Sequence, residues 1–110
     1  MSWLFWGLLL LLQNASFTLV SRARNSGSLG WHAIAAIGSN GIWFISNAII
    51  VAVVAGIIGS AGVKGLIDSG NWPKLVIAGL FYTICTVVGS VSMHYVAMRW
   101  IETGKRKVGA

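Results

Sequence analysis

Charge is missing from three long stretches of the chain, and this constrains its fold more than any motif does. Residues 3–20, 33–63 and 75–98 contain no Asp, Glu, Lys or Arg. An apolar helix needs about 20 residues to cross the roughly 30 Å hydrocarbon core of a bilayer. The first run, with Leu8 to Leu12 uninterrupted, just reaches that length before Ser21, Arg22, Ala23 and Arg24 close it. A cleaved signal peptide would need a cationic start, which Met1-Ser2-Trp3 lacks, so this run is expected to stay as a span. The second run is too long for one perpendicular crossing and too short for two. It is expected to tilt, or to unwind near Gly38-Ser39-Asn40-Gly41. The third follows Asn71-Trp72-Pro73-Lys74, where Pro73 suits the first turn of a helix.

Composition agrees. Only 9% of the residues are charged, 56% are apolar or aromatic, and mean hydropathy is +0.80. A soluble domain carries about 25% charged residues, and a disordered chain carries far less apolar content. The fold class that follows is an all-α integral membrane protein. It forms one domain over residues 1–110, with three transmembrane helices at about 3–20, 33–63 and 75–98 and a basic tail over 99–110. The net charge of +6 does not point to nucleic acid, because the cations border the apolar runs instead of forming a basic face interleaved with aromatics. Cys85 is the single cysteine, so the chain can form no internal disulfide and no thiolate metal cluster.

The cations also give an orientation. Arg22, Arg24, Arg99, Lys105, Arg106 and Lys107 fall at one end of the expected helices, against Lys64 and Lys74 with Asp68 at the other. By the positive-inside rule the amino terminus is expected outside and the tail in the cytoplasm, with a bacterial inner membrane as the natural setting. The six cations at the inner end are then candidates for lipid headgroups, each attracted by about 1 kcal/mol near an anionic surface. Trp3, Trp6 and Trp72 would mark the outer interface and Trp31 and Trp100 the inner one, leaving Trp43 inside a span. Arg99 with Glu102, and Glu102 with Lys105 or Arg106, are expected as exposed pairs one helical turn apart.

Two patterns within the runs concern function. Small residues recur at three- and four-residue spacing along the second run: Gly38, Gly41, Ala48, Ala52, Ala55, Gly59 and Gly62, with Gly56 and Ser60 beside them. Such a stripe lets helix backbones approach closely in lipid, either against the other two helices of the chain or against another copy. The second pattern is a polar layer. Gln13, Asn14, Ser16 and Thr18, then Ser39 and Asn40, then Ser90 and Ser92 reach similar depths, while Asn47 and Thr83 lie near the midplane. Ser39 and Ser46 are seven residues apart and share a helix face, as do Asn40 and Asn47. The layer either cross-links helices or lines a wetted path; an amide left bare in hydrocarbon would cost several kcal/mol.

Other chemistry finds little support. His32 and His94 fall near one interface but are too few for a recognisable metal site, and solvation there is the plainer reading. No carboxylate lies in a span, so the embedded acid on which small proton-coupled antiporters depend is missing. The chain has no acid pair, no Ser/His/Asp arrangement and no phosphate-cradling Gly loop followed by Lys, so neither catalysis nor a cofactor is expected. Asn14-Ala15-Ser16 fits a glycosylation acceptor but falls inside a span.

Three spans, an external amino terminus and a short cytoplasmic tail rich in Lys and Arg, in 110 residues, resemble the three-span class of phage holins. The resemblance covers the whole chain as topology. It implies a protein that accumulates in the inner membrane, associates through its helices and permeabilises the bilayer. Two other classes stay open: a homo-oligomeric channel or transporter constricted at Asn47 and Thr83, and an accessory subunit whose small stripe docks a larger membrane partner.

Overall fold

The computed structural model describes residues 2–109, and three of its helices are long and apolar enough to cross a membrane. Helix α1 spans Trp3–Arg24, α2 Leu29–Ile58, the short α3 Gly62–Asp68, and α4 Trp72–Val96. A π-helical turn, Ala97–Ile101, extends α4, and a 3-10 turn covers Gly104–Arg106.

Local chemistry sets the helix ends. Ser2 Oγ accepts the Phe5 N–H at 3.1 Å, and Ser28 Oγ accepts the Trp31 N–H at 3.2 Å, so each starts a helix by satisfying an amide with no carbonyl below it. Pro73 occupies the first turn of α4, where its missing N–H costs nothing. Gly59, at φ +72°, terminates α2, and Gly62 follows at φ +73°. These left-handed conformations suit glycine alone, which is why the second apolar run breaks at Ile58 instead of continuing to residue 63. The other ends move outward. Helix α1 runs on to Arg24, α2 begins at Leu29, and α4 begins at Trp72 and reaches Ile101 through its π turn, because caps and polar flanks extend a helix beyond its apolar stretch. Around Gly38-Ser39-Asn40-Gly41, α2 remains continuous.

Helix α1 is the central element. It packs on α4 along one side and on α2 along the other, while α2 and α4 scarcely touch. The small buried core gathers Trp6, Leu10 and Ala78, with Ile49, Ile50, Val53, Phe81, Tyr82 and Cys85 partly buried around it. Trp3, Trp6 and Phe81 form an aromatic cluster with centroids 4.9 to 5.4 Å apart, in the edge-on and tilted geometries that rings prefer.

Most large apolar side chains point outward. Leu29 is 85% exposed, Ile34 and Ile37 74%, and Phe44 72%. So much contiguous apolar surface would not persist in water, whereas hydrocarbon solvates it without cost. Trp43 belongs to this surface at 47% exposure. The 30 residues of α2 measure about 45 Å at about 1.5 Å per residue, longer than the hydrocarbon core, so α2 tilts or projects beyond it.

Candidate functional site

The polar layer divides in two. One half turns inward and holds the helices together. Gln13 and Ser46 are buried on the facing sides of α1 and α2, and the Ser46 hydroxyl donates to Gln13 Oε1. The amide nitrogen of Gln13 points toward Asn14 Oδ1 at 3.3 Å and Tyr82 Oη of α4 at 3.5 Å, so one side chain on the central helix joins all three spans. Toward the C-terminal end of α1, the hydroxyls of Thr18 and Ser90 lie 2.7 Å apart, a second tie to α4. Ser39 is buried on the face of α2 that carries Ser46. Thr86 is buried too and donates to the carbonyls of Tyr82 and Thr83 in its own helix, which needs no partner across the seam.

The other half turns outward. Asn40 and Asn47 are exposed on α2, one residue on from the buried Ser39 and Ser46, and the side-chain bonds that cross the helices pass both by. Thr83 is also exposed, but its hydroxyl donates to the Gly79 carbonyl at 2.8 Å and is satisfied within α4. Gln13, Asn14 and Ser90 are therefore drawn into the bundle, while Asn40, Asn47 and Thr83 are left on its surface.

The small-residue stripe lies outside the bundle as well. Gly38, Gly41, Ala48, Ala52 and Ala55 are all exposed, and a Cβ added at Gly38 or Gly41 would meet nothing within 4 Å. In one copy these five positions are not buried against the chain's own helices, although Ala48 and Ala52 line a gap shared with Trp3 and Trp6 of α1. The inner face of α2 carries Ala35, Ser39, Ser46 and Val53 instead. Gly59 and Gly62 leave the stripe, because α2 has ended before them. The bundle places its own small residues at the α1–α4 seam, at Gly7 and Gly89. Between the first turns of α1 and the last turns of α2 an apolar groove of about 480 Å³ opens, lined by Ala48, Ala52 and Gly56 of α2 and by Trp3 and Trp6 of α1. The buried indole N–H of Trp6 has no hydrogen-bond partner among the described residues.

At the end of the bundle that carries the tail, the charges are arranged differently from expectation. Glu102 pairs with none of Arg99, Lys105 and Arg106. Arg22 grips it through both Nε and Nη2, the latter at 2.8 Å, in the forked geometry that makes arginine–carboxylate pairs strong. The remaining guanidinium nitrogen donates to His94 Nδ1 at 3.2 Å. Arg22 is thus tied within the protein, not free for a headgroup, and His94 is engaged by Arg22 and not by His32. No group of three or more metal-ligating side chains occurs among the described residues.

Sequence spacing missed Tyr82 and the Arg22–Glu102 pair, both of which join residues far apart in the chain. The shared face of Ser39 and Ser46 was a signal for the inward side of α2. No family model matches the chain, and no curated protein or solved structure matches it either.

Proposed function

We propose that this is a non-enzymatic, self-associating protein of the bacterial inner membrane, which permeabilises the bilayer once enough copies gather, as three-span holins do. The observation that carries this reading is the exposure of Asn40 and Asn47 on the outer side of α2. A carboxamide has both donors and an acceptor, so the same residue on a second copy satisfies it, whereas lipid cannot. The open space at Gly38 and Gly41, with exposed Ala48, Ala52 and Ala55 along the same stripe, supports the same reading, since small side chains let another helix approach closely. With Gln13, Ser46, Thr18 and Ser90 already bonded across the helices, the exposed amides of Asn40 and Asn47 are the polar groups of α2 that face outward to wet a path between copies, with the exposed Thr83 hydroxyl, bonded within α4, beside such a path. The excess of cations at the end that carries the tail supports an external amino terminus and a cytoplasmic tail, by the positive-inside rule.

Induced expression is expected to halt growth abruptly after a lag, and Asn47→Leu to delay or abolish the halt with membrane abundance unchanged. Sustained growth at high abundance of the wild-type chain overturns the reading. A small constitutive channel is the second reading, favoured by the outward position of Asn47 and Thr83. It predicts steady flux through reconstituted vesicles with no lag, reduced by Asn47→Leu. Recovery of a distinct membrane partner in mild detergent, with no homo-oligomer, would identify an accessory subunit instead.

A further inference from the structure

The tail carries Lys105, Arg106 and Lys107, all exposed, and it does not extend away from the bundle. The π turn ends with the Glu102 N–H bonded to the Ala97 carbonyl at 2.9 Å, which brings the Glu102 side chain onto Arg22 of α1. Beyond it the chain folds back. Val108 bridges Ser26 in antiparallel fashion, and the Gly109 N–H donates to the Asn25 carbonyl at 2.7 Å. Lys107 and Arg24 therefore flank one short bridge between the tail and the α1–α2 connection. Glu102 is the only acidic side chain at this end, and Arg22 neutralises it. Among the described residues, five cations, Arg24, Arg99, Lys105, Arg106 and Lys107, have no Asp or Glu partner. Beside them, exposed Trp100 meets Tyr95 edge-on, and Arg99 lies 5.8 Å from the Trp100 ring centroid. Amphipathic aromatics of this kind sit at headgroup level.

We infer that the folded-back tail and the α1–α2 connection together form a docking surface for the phosphate headgroups of anionic phospholipids, and that the Arg22–Glu102 pair is its positioning element. The cations supply charge complementarity and the neighbouring aromatics set the depth. Arg22 serves by removing the one competing carboxylate and by fixing where the tail leaves α4. Charge alone and a built surface make opposite forecasts for Glu102→Gln. That change raises the net charge by one, so a merely electrostatic tail would bind anionic lipid more strongly, whereas a surface that needs the clamp loses affinity.

The test uses the full chain in nanodiscs of phosphatidylcholine, with and without phosphatidylglycerol. Native mass spectrometry reads the retained lipid, and the rate of tryptic cleavage after Lys105 to Lys107 reads the tail. Wild-type protein is expected to retain phosphatidylglycerol preferentially and to resist trypsin more in the anionic discs, with high salt removing the difference. Lys105→Gln with Lys107→Gln, both exposed and without structural bonds, should reduce the preference by about fivefold per cation lost. Glu102→Gln should lower the preference and speed cleavage in both kinds of disc. Equal retention of the two lipids by wild type, an unchanged preference in the double variant, or a stronger preference in Glu102→Gln would each overturn the inference.

Discussion

At Gly89 on α4 an added Cβ would lie 2.9 Å from the Leu11 Cα and closer still to the Leu11 carbonyl oxygen. At Gly38 and Gly41 on α2 it would meet nothing within 4 Å. The same residue type thus serves two regions in different ways. At the α1–α4 seam the missing side chain is already used, because the backbone of one helix fills the space left by the other. On the outer flank of α2 that space is open, and nothing in one copy of the chain takes advantage of it. The polar residues follow the same division, with Gln13, Ser46, Thr18 and Ser90 bonded across helices and Asn40 and Asn47 left outside. A small or polar residue in a membrane span therefore has no fixed meaning. Its meaning depends on whether its face of the helix is covered.

The sharpest way to break this comparison is at Gly89. Gly89→Ala forces a side chain into backbone that cannot rotate away, so α1 and α4 must separate, at a cost of about 2 kcal/mol or more. Thermal unfolding in mild detergent should show it. Gly7→Ala is the control within the seam: its Cβ would meet the tip of the Phe81 ring at 2.9 Å, which can swing aside, so the loss should be smaller. Equal stability of wild type and Gly89→Ala would mean that the seam is looser than described.

Gln13→Leu comes next. It strands the buried Ser46 hydroxyl and removes the one side chain that links three helices, and should cost about 1–2 kcal/mol. A double-mutant cycle with Ser46→Ala should then recover a coupling between the two positions, and strict additivity would remove the bond from the interior. Thr18→Val should cost less, about 0.6 kcal/mol, as is typical of hydroxyl pairs between membrane helices. The smallest effect belongs to the open flank. Gly38→Ala and Gly41→Ala should leave the isolated chain unchanged or more stable by about 0.5 kcal/mol, through helix propensity. The same changes should weaken association measured by energy transfer between labelled copies in vesicles. If association is unaffected, lipid alone covers that flank.

Much of the fold was legible beforehand. Uncharged runs near bilayer length, closed by Arg22, Arg24, Lys64 and Lys74, announce three helices long and apolar enough to cross a membrane whatever their packing, because hydrocarbon tolerates neither bare backbone nor bare charge. Gly59 was legible only as a small residue. That it adopts φ +72° and ends α2, instead of continuing the stripe, depends on a backbone conformation that spacing does not encode. The heptad relations of Ser39 with Ser46 and of Asn40 with Asn47 correctly grouped each pair on one face, yet could not say which pair turned inward. Glu102 was misread for a related reason. Its neighbours one turn away along the chain were available, but the π turn carried it to Arg22, 80 residues distant.

Residue by residue, the sequence determined where the chain is apolar, where it is charged, and hence how many helices can cross a membrane and near which residues they begin. These properties follow from each segment's own transfer between water and lipid. Only the tertiary structure decided that α1 is central, that Gln13 and Ser46 are interior while Asn47 is not, and that Arg22 and Glu102 neutralise each other. Such choices depend on the relative rotation of whole helices about their axes. In lipid that rotation is set by the close fit of one backbone against another, and not by apolarity, which is nearly the same on every side of the helix.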